Sequence, residues 1–159
     1  MNEKEKTADL ALRFLAALID GGIGWVFVMI PFLGGIISVL YLLFKDALPY
    51  IVFQEEEWKN KSVGKKIMNI EVLSLEGKTI DLSISAKRNV PLTIGSFIAI
   101  VPVIGWILGP MLGAIFAIVE LILLLTNEEN MRLGDRWGKT RVIMKEKDKI
   151  SKDVLKTNK

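Results

Sequence analysis

Apolar residues form long blocks in this chain, interrupted by two Pro/Gly turns and by one polar middle segment. The blocks predict four membrane-embedded helices at residues 10–30, 36–53, 89–101 and 106–126. The turns Pro31–Gly35 and Pro102–Gly105 join these helices into two hairpins. The third block has only about a dozen apolar residues, so the helix either extends over residues 87–89 as well or is re-entrant. The predicted fold class is an all-α membrane bundle.

The polar middle segment, residues 54–88, predicts a small β-hairpin between the two helical hairpins. Its turn signal is the stretch Glu76–Lys78, and apolar residues alternate with polar ones just after it. We therefore expect a β-hairpin over Ile67–Ile84, outside the membrane.

The distribution of positive charge predicts the topology. Outside the apolar blocks, lysine and arginine occur in residues 1–13, in the middle segment and after residue 126, and the two turns carry none. By the positive-inside rule, both termini and the middle segment are cytoplasmic. Residues 1–9 are then a cytoplasmic segment, 10–143 the membrane domain and 144–159 a Lys-rich cytoplasmic tail, with the plasma membrane as the expected location.

Composition removes several function classes. The 159 residues are 51% hydrophobic and include no cysteine and no histidine. Disulfide frameworks, thiolate metal sites and the commonest general base are therefore excluded. No G-x-S-x-G nucleophile motif is present either. We expect no enzyme, and no catalytic residue, metal site, cofactor or nucleic-acid partner.

Two charged residues in the first apolar block, Arg13 and Asp20, are the leading candidates for a functional role. Ionisable groups are costly in hydrocarbon and usually face a bundle interior or a wet cavity. The two lie seven residues apart on one helix face, too far along the axis for a direct ion pair. Each needs a partner elsewhere in the chain. The alternative for Arg13 is an anchor at the membrane surface, and the alternative for Asp20 is a capped or hydrogen-bonded structural carboxylate.

Asp46 forms a second candidate with Asp20. Each carboxylate lies eleven residues from the outer turn, which in an antiparallel hairpin puts both at about 16 Å depth. Two carboxylates in a low dielectric would share a proton or bind a cation, and Lys45 is a possible counter-ion. The alternative is that Lys45 and Asp46 mark the cytoplasmic end of a short second helix.

The last block supplies the remaining candidates. Glu120 is its single charge, which either faces Arg13 or Arg88 as a structural pair or takes part in a pathway. Glycines recur every four residues at Gly105, Gly109 and Gly113. Such a stripe lets helix backbones approach closely, within the chain or between copies of it.

These features, taken in order, resemble the RDD family of small membrane proteins, named for an arginine and two aspartates. The opening motif is matched by RFLAALID, with Arg13 and Asp20 as the first two name residues. The central segment is matched by Ser62–Lys66 with Ile70–Val72, followed by the turn and Arg88. The closing motif is matched by Arg132–Asp135 with Thr140 and Val142, and Asp135 is the third name residue.

Two positions depart from the family pattern. Asn69 stands where a small glycine is usual, and Gly138-Lys139 replaces the usual Ala-Gly before Thr140. Both lie in the polar segments, so they affect local packing rather than membership.

Arg132 and Arg136 lie beside Asp135 in the sequence, and Arg13 and Arg88 emerge on the same face in this topology. We therefore also predict that the closing motif folds back onto the helices, the alternative being an exposed charged tail.

The resemblance implies a function. Transport of ions or small solutes, including cation/proton exchange, has been suggested for members of this family. We therefore expect transport of a cation or small solute through the intramembrane carboxylates, with the lipid bilayer, a monovalent cation and protons as partners. Four short helices are too few to enclose a transport pathway, so the transporter interpretation implies a homo-oligomer. The alternative is a non-transporting membrane protein that packs with or stabilises a partner complex.

Overall fold

The computed structural model describes residues 7–127 and 129–144. In chain order their elements are α1 (Leu10–Val28), α2 (Gly34–Phe44), α3 (Leu48–Phe53), a 3₁₀ turn (Glu56–Trp58), α4 (Val63–Ile67), β1 (Ile70–Ser74), α5 (Leu82–Ala99), α6 (Ile104–Thr126), α7 (Leu133–Trp137) and β2 (Thr140–Met144). The start of the N-terminal segment and nearly all of the Lys-rich tail lie outside the described residues.

Four helices form the bundle: α1 packs on α2, α2 on α5, and α5 on α6. Of these, α1 and α6 are long and apolar enough to cross a membrane, and most of their residues are not buried. The core helix of a soluble protein would be buried on its apolar positions. The two long helices are therefore compatible with a membrane protein. The 11 residues of α2 make a shorter apolar helix.

The predicted second helix over residues 36–53 is wrong, because the chain turns at Lys45–Ala47 between α2 and α3. Pro49 lies in the first turn of α3, where its missing N–H is not needed by the helix. Asp46 therefore follows the end of α2 rather than lying inside a long helix. This arrangement is the alternative that the sequence left open.

The predicted β-hairpin over Ile67–Ile84 is also wrong. Its first strand exists as β1, but β1 pairs antiparallel with β2, with Ile70 opposite Met144. The sheet packs on the first half of α1 through a small apolar cluster that includes Ile70, Ala16 and Val142. The strand pairing thus holds the closing motif beside the helical bundle.

The segment after β1 starts a helix rather than a second strand. The Asp81 carboxylate caps α5 by accepting a hydrogen bond from the Ile84 amide at 2.7 Å. Three alternating apolar residues are too few to distinguish a strand from the start of a helix. The third predicted helix, 89–101, therefore begins seven residues earlier than expected, at Leu82, and is 18 residues long.

The glycine stripe is used inside the chain. A Cβ added at Gly109 would lie 2.7 Å from the Ala99 Cβ and 2.7 Å from the Gly95 carbonyl oxygen, both on α5. A Cβ at Gly105 would collide with the Ile98 carbonyl, while one at Gly113 would be 3.5 Å from the Gly95 Cα. The stripe is what lets α5 and α6 approach closely.

We expect Gly109→Leu to separate α6 from α5 and to destabilise the protein by about 1–3 kcal/mol or more, as overpacking does. The measurement is the melting temperature in detergent. Gly21→Leu is the matched control, since nothing lies within 4 Å of a Cβ added there. A Gly109→Leu variant that melts like the Gly21→Leu variant would contradict the close contact.

The two departures from the family pattern coincide with left-handed backbone. Asn69 has φ 54° and Lys139 has φ 50°. Glycine adopts this conformation without steric cost, and asparagine tolerates it better than other residues. The strained position of the pair is therefore Lys139, just before β2.

Lys139→Gly is expected to be more stable than Lys139→Ala by about 1 kcal/mol, because only alanine keeps a Cβ in the left-handed region. Both variants lose the exposed ion pair that Lys139 makes with Glu76 at 2.7 Å, so their difference isolates the backbone. Chemical denaturation of the two variants measures it. Equal stabilities would show that the backbone at this position is not strained.

Candidate functional site

The closing motif places one carboxylate among three arginines. Asp135, fully buried on α7, lies 2.5 Å from Arg13 Nη2, 3.0 Å from Arg88 Nη2 and 3.4 Å from Arg132 Nε. Burial alone would raise the pKa of Asp135, but Arg88, Arg132 and Arg13 outweigh it and hold that pKa at about 2. The motif therefore folds back onto the helices, as its charges predict.

Arg88 joins this group to a second buried carboxylate. Its guanidinium is fully buried, with Nε 3.0 Å from Asp46 Oδ2, and its Nη1 donates to Thr140 Oγ1 at 3.2 Å. On the α7 side, Gly134 lies so close to the Arg88 carbonyl that an added Cβ would collide with it. One arginine of α5 thus connects the turn after α2 with α7 and β2.

Asp20 caps the short helix α4. Its carboxylate accepts hydrogen bonds from the Gly64 amide at 2.8 Å and the Ser62 hydroxyl at 2.7 Å, and Lys45 Nζ lies 3.3 Å away. A Cβ at Gly64 would collide with the Ala16 carbonyl of α1, so only glycine fits this contact. The cap ties the middle segment to α1.

Lys65 lies between the two halves of the site. Its Nζ is 2.5 Å from Asp46 Oδ1 and donates to Ser62 Oγ at 3.4 Å, and Ser62 in turn bonds to Asp20. Asn89 also donates to Asp46, at 3.2 Å. Burial lowers the pKa of Lys65 to about 8, and the attraction of Asp46 offsets only part of that effect.

Glu120 accepts a hydrogen bond from the backbone and is attracted by Arg132. Its Oε1 accepts a hydrogen bond from the Gly134 amide at 3.1 Å. No ion pair joins it to Arg13 or Arg88 among the residues that the structure describes. Of the two alternatives for Glu120, the structure therefore does not show the pair with Arg13 or Arg88 and shows a contact with the backbone of α7 in its place.

The structure also differs from the prediction that Asp20 and Asp46 form a carboxylate pair sharing a proton or a cation. Asp20 and Asp46 each have their own cation, Lys45 and Lys65 respectively, so neither has to share a proton with the other. Lys45 is a counter-ion as predicted, but Lys65 and Ser62 enter the site without having been singled out for it. Ser62 carries a local signal, because serine is a typical helix N-cap residue and Ser62 takes that position in α4, whereas no local signal marks Lys65 as buried.

A cavity of about 610 Å³ lies beside these charges, between α1 and α6. The buried side chains of Arg13, Asp20, Lys65 and Arg88 are among those that line it. Within residues 7–127 and 129–144, no group of three or more acidic side chains is placed to hold a metal ion. The arrangement is a network of buried, closely paired charges beside a cavity.

Comparison with known proteins identifies one family. The family model described as RDD family matches residues 7–139. This range includes all four bundle helices, the middle segment and the arginine-bound Asp135. No curated protein and no solved structure matches the chain.

Proposed function

The chain belongs to the RDD family, and from this membership we propose that it is a transporter in the plasma membrane, exchanging a monovalent cation for a proton. In this proposal α1, α2, α5 and α6 are all membrane-embedded, and the termini and the sheet face the cytoplasm. The charge distribution supports this orientation, since the turns between α1 and α2 and between α5 and α6 carry no lysine or arginine.

The proposal rests on the position and protonation of Lys65. It is a buried lysine that lines the cavity, and its pKa of about 8 allows proton release near neutral pH. The arginines of the network remain protonated at any physiological pH. Buried groups with perturbed pKa values that face a cavity are candidates for functional sites. In this chain the proton is therefore assigned to Lys65 and not to a carboxylate pair.

The exchange step follows from the contacts of Lys65. When its ammonium loses a proton to the cavity, Asp46 Oδ1 and Ser62 Oγ lose the positive charge that they face. A monovalent cation can then take the place of that charge against the same two oxygens, which are hard ligands of the kind such ions bind. Reprotonation of Lys65 expels the cation. One charge replaces another, so the exchange is electroneutral.

A transport pathway needs to be enclosed by more protein than one chain provides. The bundle leaves much of α1 and α6 exposed, and a closed pathway needs protein against part of that surface. We propose a homo-oligomer for this reason. The glycine stripe does not support the partner-stabilising alternative, because α5 already covers it.

The test is proton movement in liposomes that contain only this protein. Vesicles loaded with Na⁺ or K⁺ and diluted into a cation-free buffer are expected to acidify inside, as the cation leaves and protons enter. A clamped membrane potential should not change the rate, since the exchange is electroneutral. Absence of acidification with either cation, in vesicles holding folded protein, would remove the exchanger and favour a non-transporting role.

A further inference from the structure

The side chains that line the cavity between α1 and α6 are of two chemical kinds, apolar ones, here called its walls, and charged ones, here called its floor. Its walls are apolar side chains of the two helices, Leu10, Phe14, Ala17, Ile118, Leu121 and Leu125. Phe14 and Leu121 remain more than half exposed to the surroundings of the bundle. The cavity is thus bordered by surfaces that, in a membrane, contact lipid chains.

The floor of the cavity is charged and carries an excess of positive charge. Five cations line it: Arg13, Lys45, Lys65, Arg88 and Arg132. Four carboxylates belong to the same network: Asp20 and Glu120 in the lining and Asp46 and Asp135 behind it. Among the residues that the structure describes, this network therefore has five positive charges and four negative ones, a net charge of +1. Burying an unbalanced charge is costly unless an anion balances it.

We propose that this cavity binds a membrane lipid with an anionic phosphate headgroup. An acyl chain of the lipid lies along the apolar walls, and its phosphate faces the cationic floor. With the orientation proposed above, the lipid comes from the cytoplasmic leaflet. The site goes beyond the exchange step, which needs only Lys65, Ser62 and the carboxylates. It is also compatible with that step, because replacing a proton by a monovalent cation leaves the net charge of the floor unchanged.

Chemistry favours a lipid over other occupants. The helices α1 and α6 of a second copy would bring no acidic residue besides Asp20 and Glu120, which are buried in their own chain, so they would not balance the positive floor. A free phosphate ion would leave the apolar walls without a partner. A lipid satisfies both sides, because acyl chains gain by burial against apolar walls and phosphate pairs with arginine and lysine.

The test is lipid retention by the full-length protein, measured without any ion gradient. The protein is reconstituted in nanodiscs with equal amounts of phosphatidylglycerol and phosphatidylcholine, released, and weighed by native mass spectrometry. We expect one retained phosphatidylglycerol per chain. Equal retention of both lipids, or of neither, would overturn the proposal, and this outcome does not depend on any variant.

A pair of variants locates the site. Ala117 lines the cavity, whereas Ala114 lies almost one turn away on α6, is exposed and does not line it. Ala117→Trp should fill the cavity and abolish lipid retention, while Ala114→Trp should retain the lipid like the wild type. Retention by a folded Ala117→Trp protein would place the lipid elsewhere. The lipid measurement involves no ion flux. A negative result in the liposome exchange experiment would therefore not change the expected lipid retention, and a negative lipid result would not disprove exchange.

Discussion

Asp135→Asn is expected to destabilise the protein by about 3–5 kcal/mol, the cost of breaking a buried ion pair by removing one partner. The carboxylate is fully buried and lies within 3.4 Å of the guanidinium groups of Arg13, Arg88 and Arg132. Asparagine keeps the shape but leaves three arginines with one fewer counter-charge. The melting temperature in detergent should fall on the order of 10 °C.

Glu76→Gln is the control for Asp135→Asn. Glu76 also contacts two cations, Lys78 and Lys139, each at 2.7 Å, but all three side chains are exposed. Exposed ion pairs contribute little, so this variant should melt like the wild type. A wild-type melting temperature for Asp135→Asn would show that the three arginines are balanced by other groups.

A double variant tests whether Arg13 is coupled directly to Asp135, as distinct from a general loss of stability. Besides its contact with Asp135, Arg13 donates a hydrogen bond to the Asn130 carbonyl at 2.6 Å. Arg13→Met should therefore cost less in the Asp135→Asn background than in the wild type, because it then removes an unbalanced charge. Costs that simply add would contradict a direct coupling of Arg13 to Asp135.

The sequence predicts the parts of this fold that local patterns determine. Long apolar blocks indicate α1 and α6, and the Pro/Gly turns indicate where the hairpins reverse. The clustering of arginines around Asp135 follows from a simpler consideration, since buried charges in a small bundle must find partners. The sequence therefore predicts that Arg13, Arg88 and Asp135 take part, but not how they contact one another.

What the sequence does not predict depends on contacts between distant segments. The strand β1 has its partner about 70 residues later in the chain, and the turn that follows it favours a local hairpin instead. Lys65 is a similar case. Nothing in its own neighbourhood indicates burial, which arises only when Asp20 on α1 caps α4 and draws it into the bundle.

Lys65→Arg is expected to abolish cation/proton exchange while keeping the positive charge at the site. Arginine cannot release its proton in a protein, so Asp46 and Ser62 would always face a fixed cation. In the wild type, the apparent affinity for the transported cation should weaken about tenfold for each pH unit below about 8, as protons occupy Lys65. Flux in liposomes at pH 6–9 measures both effects.

Two further variants make this result decisive. Lys66→Arg is the matched control, because Lys66 is a neighbouring lysine that lies partly exposed over the Trp58 ring and pairs with Glu57; exchange should persist in it. Lys65→Gln removes the proton site without adding bulk, so it should bind Na⁺ with an affinity that no longer depends on pH, seen as Na⁺-dependent thermal stabilisation. It should still fail to couple that cation to protons. Wild-type exchange by a folded Lys65→Arg protein would move the proton to another group and end the mechanism proposed for Lys65.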